Sequence, residues 1–254
     1  MSLSGLLVPS GARAAAVCNS SRPDDAPFVS AWSLPAVAVA AALWGHGLVS
    51  PFGPARAAEL AEATGLCAAD RVLLIGGGPG GAERLLTGLT GADIHAYESD
   101  PLLALLGGAR SFAAGAPDFG RQTFDIAIVL DLPDNAVCQD MLAAVALSLR
   151  PGGRLAIDAG VADLQRLPVV LRHLRCAVET VEDGSADHVS DVIAGWSRLA
   201  AQLGRGGGAP FLPAEARRAL LIEAERWMPR LARLRRGTLH QVRLVGAIAA
   251  RTEL

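Results

Sequence analysis

Apolar and polar positions along the chain fall into blocks that alternate between a strand-like and a helix-like period. Arg71 to Ile75 is a short apolar strand, and Ile94 to Tyr97 is a second one closed by Glu98. Phe124 to Leu130, apolar throughout but for Asp125, is a run of the kind buried on both faces of a sheet. Arg154 to Ile157 follows as a further strand. Helical stretches separate them: Ala82 to Leu89, ended near Gly91, and Ala136 to Leu149, closed by the turn Arg150-Pro151-Gly152-Gly153. Such alternation predicts a mostly parallel sheet with helices on both faces. Upstream, Trp32 to Trp44 and Ala55 to Thr64 read as helices, the second with Pro54 in its first turn and Gly65 past its end. Between them, Gly45 to Pro54 is so dense in glycine and proline that it must be a loop. After residue 160 the pattern loosens into a strand (Cys176 to Glu182), a helix (Val189 to Leu203), a glycine hinge (Gly204 to Gly208), a long helix (Ala214 to Leu234) and a last strand (His240 to Ala249). The chain then divides into a loose leader over 1–30 and one domain over 31–254, with an N-terminal lid (31–65) and a helical insertion (184–236).

Composition narrows the partners. Hydrophobic residues make up 51% and charged residues 19%, enough apolar material for a sizeable core. With 23 basic against 25 acidic residues the chain lacks the cationic surplus that phosphate backbones demand, so nucleic acid is not expected as a partner. Arg226, Arg230, Arg233, Arg235 and Arg236 concentrate on the last long helix, where they read as a solvated face. The four cysteines stand singly, without metal or redox spacing, as expected of reduced thiols in a cytoplasmic protein. No signal peptide is evident, because Arg13 and Arg22 interrupt the N-terminus. Leu34 to Trp44 is uncharged but shorter than the ~20 residues a bilayer span needs, so no membrane span is expected.

The chemistry-bearing segment is Val72-Leu73-Leu74-Ile75-Gly76-Gly77-Gly78-Pro79-Gly80-Gly81. A strand enters a turn without side chains and a helix leaves it, which lets a nucleotide or adenosyl group lie on bare backbone amides. Glu98, closing the second strand, is placed to accept hydrogen bonds from both ribose hydroxyls. Three readings stay open on this segment alone. One is an adenosyl site. Another is a flavin or nicotinamide site, since Gly76, Gly78 and Gly81 also fit G-x-G-x-x-G. The last is a tight turn with no ligand.

Context adds a resemblance. Leu147-Ser148-Leu149-Arg150-Pro151-Gly152-Gly153-Arg154-Leu155, with Phe124-Asp125 opening the fourth strand, resembles the class I S-adenosylmethionine-dependent methyltransferases. Trp44-Gly45-x-Gly47 with Ser50-Pro51-x-Gly53, the run Val181-Glu182-Asp183, Asp191 to Trp196 and Glu225-Arg226-Trp227 are similar to the small-molecule branch that holds sarcosine and phosphoethanolamine N-methyltransferase-like enzymes. The likeness covers residues 44 to 250. It implies a Rossmann-like α/β fold with a helical lid, S-adenosyl-L-methionine as cofactor and a small-molecule acceptor. On it, Gly76, Gly78 and Gly80 face the methionine portion, Glu98 the ribose, and Gly47 and Ser50 close over the sulfonium. Leu130 and Asp131 flank the transferable methyl. Two positions depart from the family. Leu74 stands where an acid supports the methionine amino group. Gly115-Ala116-Pro117 lacks the adenine-side carboxylate, with Asp118 as the nearest substitute.

Methyl transfer asks mainly for in-line positioning, sometimes with a base. His46 in the lid loop, Asp131 after the fourth strand and His188 beside Asp187 are the catalytic candidates. Against these stand an exposed loop histidine, a turn with a helix cap, and an ordinary histidine beside a capping aspartate. Trp196 and Trp227 read as helix packing rather than an aromatic cage, and His173 and His240 as structural. Alongside the methyltransferase reading stands a methyltransferase-like protein without catalysis, serving as a binding or assembly partner of itself or another protein. A flavin or nicotinamide oxidoreductase is the remaining alternative.

Overall fold

A computed structural model describes residues 30–112, 117–130, 137–205 and 212–249, with the side chains of 137–138 excepted. The apolar runs become strands because each can be covered on both faces. β1 (Arg71–Ile75), β2 (Asp93–Glu98), β3 (Arg110–Ser111), β4 (Phe124–Leu130) and β5 (Leu149–Val161) run parallel. β7 (His240–Ile248) pairs antiparallel with β5, and β6 (Cys176–Asp183) pairs antiparallel with β7 at the edge, giving the order β3-β2-β1-β4-β5-β7-β6. The predicted mostly parallel sheet is thus present. β5 starts earlier than expected, at Leu149, and absorbs the Pro-Gly-Gly segment as an irregularity in its pairing with β4.

The side-chain period of two sorts the core into two halves. Val72, Leu74, Ile126, Ile128 and Leu130 face one side, under the helices α1 (Leu34–Trp44), α2 (Pro54–Thr64), α3 (Gly81–Thr90), α7 (Ser185–Arg205) and α8 (Ala214–Arg235). Leu73, Ile75, Ala127, Val129, Leu155 and Ile157 face the other, under α5 (Val137–Ser148) and α6 (Arg166–His173). Local chemistry sets the helix ends. Ser33 caps α1 by accepting from the Ala36 N–H at 3.3 Å, and Gly65 leaves α2 in the left-handed conformation at φ +66°. The short path from Glu98 to Phe124 holds α4 (Pro101–Gly107), capped by Asp100, and the two-residue β3.

α1 and the late helices form one layer, in which α8 packs on both α1 and α7. At their junction the Trp44 and Trp227 rings lie 4.9 Å apart. Glu223 is wholly buried in the same layer, and Arg226 Nη1 donates to one of its oxygens at 3.4 Å. The other oxygen, and the indole N–H groups of Trp44, Trp196 and Trp227, have no hydrogen-bond partner among the described residues. Unpaired buried polar groups are costly, so this layer is the less well satisfied part of the molecule.

Burial pushes the Glu223 carboxyl above its usual range, against the pull of Arg226. An acid whose folded pKa lies above its unfolded value supports the fold below the unfolded pKa. That support is lost as pH rises through the folded pKa. Glu223→Gln is therefore expected to raise Tm at about pH 8 by about 2–4 °C for each kcal/mol recovered. The gain should vanish near pH 4.5, the ordinary glutamate value. Scanning fluorimetry of both proteins across this range checks it; parallel curves would show that Glu223 carries no such cost.

Candidate functional site

The chain leaves β1 for β2 on one side and reaches β4 and β5 on the other, so β1 and β4 bound the switch point of the sheet. Open α/β sheets bind ligands at that place, beyond the carboxyl ends of the strands. Here β1 ends on Gly76, whose N–H donates to the Tyr97 carbonyl at 3.1 Å. Gly76 holds φ +75°, and a Cβ on it would lie 2.1 Å from the carbonyl oxygen of Leu130 at the end of β4. Glycine is required there by backbone against backbone.

Glu98, at the end of β2, folds back over this turn. One carboxylate oxygen accepts from the Gly78 N–H at 3.0 Å, and the other from the N–H groups of Ser99 at 2.9 Å and Asp100 at 3.4 Å. The residue is 6% exposed, and burial raises its carboxyl pKa against those three donors. A carboxylate offers about four lone-pair positions, so capacity for a further donor from the cavity side remains.

Above Gly76 and Glu98 lies a cavity of about 370 Å³. Ser99, Asp100 and Leu103 continue its floor, and Val49 enters from the lid loop. Its roof is Ala31, Trp32, Arg226, Trp227 and Arg230. Residues 30–32 strap this roof to the floor. Ser30 Oγ and the Ala31 N–H donate to the Asp100 carboxylate at 2.7 and 2.9 Å, and the Arg226 guanidinium lies 3.9 Å from the Trp32 ring centroid. Arg230 also borders a second, smaller cavity of about 20 Å³, with Ser50, Leu130, Asp158, His188 and Gln241. That is room for about one water. Asp158 is fixed there by Arg56 Nε at 2.7 Å and Gln241 Nε2 at 2.9 Å.

The residues singled out from sequence separate accordingly. Gly76 and Glu98 line the switch-point cavity of about 370 Å³, and Ser50, Leu130 and His188 the smaller one beside it, where the His188 ring packs 5.9 Å from that of Trp227. Gly47 lines neither of these two cavities, and its carbonyl accepts from the Gly81 N–H at 2.8 Å. Gly78 packs beneath Val49 while its N–H serves Glu98, and Gly80 packs on Gly107 and Arg84. Their lack of side chains is explained by these neighbours. His46 is exposed, and Arg84 Nη2 meets its Nδ1 at 3.2 Å, away from both cavities. Asp131 lies outside the described residues, as do Gly115 and Ala116. Asp118 is exposed and accepts from the Gly120 N–H at 2.9 Å, so it takes no part in the cavity. Leu74 is fully buried under α3. Asp187 pairs with Arg243 at 2.9 Å, and Asp183 accepts from the Ser185 N–H at the start of α7 at 3.0 Å and from His240 at 2.8 Å.

Sequence reasoning missed the roof. Arg226 and Arg230 were expected on a solvated face, yet they line the cavity together with Trp227. Their spacing of four residues on one helical stripe carries the signal, but it does not say which element the stripe faces.

No protein-family model matches the chain, and no curated protein matches it. Solved structures do. A phosphoethanolamine N-methyltransferase 2 of Haemonchus contortus in complex with S-adenosyl-L-methionine superposes with a TM-score of 0.70 at 15% identity over 85% of this chain and 57% of that one. A geranyl diphosphate C-methyltransferase of Streptomyces coelicolor A3(2), bound to Mg2+, geranyl diphosphate and S-adenosyl-L-homocysteine, gives 0.57 at 13% identity over 77% of both chains. A protein of Galdieria sulphuraria described as a sarcosine dimethylglycine methyltransferase gives 0.57 at 17% identity over 76% and 83%.

The fold is that of the class I methyltransferases. The likeness is one of architecture, and the chain spans 57% of the length of the Haemonchus enzyme. Within this methyltransferase fold no helix of the described residues is long and apolar enough to cross a membrane. No group of three or more histidines, cysteines or carboxylates among the described residues is placed to hold a metal ion.

Because the Gly76 position admits no Cβ beside the Leu130 carbonyl, Gly76→Ala is expected to cost more than about 2 kcal/mol of stability. Urea denaturation checks this. A loss below about 0.5 kcal/mol would show that the β1–β4 junction yields easily.

Proposed function

We propose that the chain binds S-adenosyl-L-methionine and transfers its methyl group to a small-molecule acceptor. One observation carries the reading: a buried carboxylate with spare acceptor capacity, Glu98, stands beside bare backbone at Gly76 in a cavity at the sheet's switch point. At about 370 Å³ the cavity falls within the range of small-molecule sites. Glu98 would hold the ribose hydroxyls, Ser99 and Leu103 would border the adenine, and Gly76 and Val49 the methionine portion. The bound cofactor supplies an electrophilic sulfonium methyl. The chain's own work is to orient it and keep water out, which the strap of residues 30–32 and the Trp32 and Trp227 rings are placed to do. Ser50, Leu130 and His188 mark the acceptor end, with His188 as the candidate base, and Asp131 adjoins Leu130 in sequence. The neighbours' phosphoethanolamine, geranyl diphosphate and sarcosine substrates support a small acceptor. Cys67 and Cys176, both free thiols, support a cytoplasmic setting.

A second reading has its own observation. Leu74 is sealed in the core, so no carboxylate there supports the cofactor's amino group. A protein that binds an adenosyl ligand without turning it over, as an assembly partner, fits that loss.

Titration calorimetry tests both. S-adenosylmethionine and S-adenosylhomocysteine are expected to bind, and Glu98→Gln to weaken each by about tenfold or more, the value of one charged hydrogen bond. No heat at millimolar ligand would end the adenosyl reading. Binding without S-adenosylhomocysteine release across a panel of small amines, phosphorylated alcohols and prenyl phosphates would favour the non-catalytic one.

A further inference from the structure

We infer that Arg226 is an anion-binding residue of the switch-point cavity, taking a carboxylate or phosphate group of the molecule bound there. The inference builds on the adenosyl-binding reading and names a charge that site recognises.

Both floor carboxylates are held by backbone and hydroxyl donors of their own surroundings and not by the arginine. Glu98 accepts three backbone N–H groups, and Asp100 accepts from Ser30 Oγ, from the Ala31 N–H, and from the N–H groups of Leu102 and Leu103. Neither forms an ion pair with Arg226, although all three residues border the same space. Among the described residues Arg226 pairs with one carboxylate, Glu223, through a single nitrogen at 3.4 Å. Its guanidinium lies 3.9 Å from the Trp32 ring centroid, which restrains its plane. A guanidinium has five N–H donors in a rigid fork, suited to two parallel bonds to a carboxylate or phosphate. Stacked on one face and anchored by one nitrogen, this fork keeps donors to offer and loses little freedom in offering them. Burial also favours the neutral form of Glu223, which weakens its claim on the arginine's charge. Arg230, one turn further along α8 and held to Gln241 at 3.4 Å, adds a second cation to the roof.

Two sources can supply the anion: the carboxylate of the cofactor's methionine portion, or an anionic group on the acceptor. Calorimetry with S-adenosylhomocysteine, with 5′-methylthioadenosine (the same nucleoside thioether without the amino-acid tail), and with inorganic phosphate added to the methylthioadenosine complex separates them. If the cofactor supplies it, the parent protein binds S-adenosylhomocysteine at least tenfold more tightly than methylthioadenosine. Arg226→Met then narrows that ratio at least fivefold and leaves methylthioadenosine within twofold. If the acceptor supplies it, the ratio is the same in both proteins, but phosphate binds the methylthioadenosine complex of the parent and not of the variant. An Arg226→Met protein that matches the parent in all three titrations overturns the inference. Should neither nucleoside bind, the adenosyl reading fails separately, and phosphate titrated alone judges Arg226: loss in the variant upholds it, and equal or absent binding in both overturns it. If Arg226→Met does not unfold cooperatively, Arg226→Lys serves in its place. It keeps the charge without the fork, and the same readouts are expected to weaken at least threefold, with no change again overturning the inference.

Discussion

The site depends on how closely two strand ends approach. At the switch point the Leu130 carbonyl and the Gly76 Cα share a space that no Cβ enters, and this contact holds the end of β1 against the end of β4. Once the turn is held there, Gly78 presents its N–H to Glu98, and the carboxylate in turn gathers Ser99 and Asp100. Asp100 then caps α4 and anchors the strap of residues 30–32. Floor and strap are therefore one chain of hydrogen bonds that begins at a steric constraint. Loosening the first contact would misplace every group after it.

Much of this was legible in the chain because burial on a sheet leaves a period. β1, β2 and β4 are read from mainly apolar runs, broken by His95 in β2 and Asp125 in β4, and Glu98 from its position at the end of one of them. The glycines were legible as a turn, but their cause was not. A ligand lying on bare backbone and a neighbouring chain lying on it demand the same residue, and sequence alone does not separate the two. The structure gives Gly47, Gly78 and Gly80 protein neighbours, so they carry less information about a ligand than the motif implies. α4 and β3 were missed because both are too short to show a period, and α6 because Pro168 interrupts it.

The roof was the least legible part. An amphipathic helix shows in sequence which stripe is apolar, but a stripe holding Glu223, Trp227 and Arg230 at spacings of four and three mixes both kinds. What makes such a stripe inward-facing is the layer of α1 and α7 beside it, and those contacts are long-range. His46 has a structural contact that sequence did not show. A histidine in a lid loop invites a chemical role, yet the same loop must be fastened to α3, and Arg84 does this through the His46 ring and carbonyl.

The two sides of the cavity are stabilised differently, and this bears on how a ligand gains entry. The floor rests on a parallel sheet whose central strands are fully buried, with each inward polar group of Glu98 and Asp100 paired. The roof layer holds indole N–H groups and a Glu223 oxygen without partners among the described residues, although Trp227 and Leu231 of α8 share a hydrophobic core with Ile128 and Leu130 of the sheet. Regions with fewer satisfied groups open at lower cost than the core they cover. The unsatisfied polar groups of the helical layer make it the part expected to yield before the sheet beneath it.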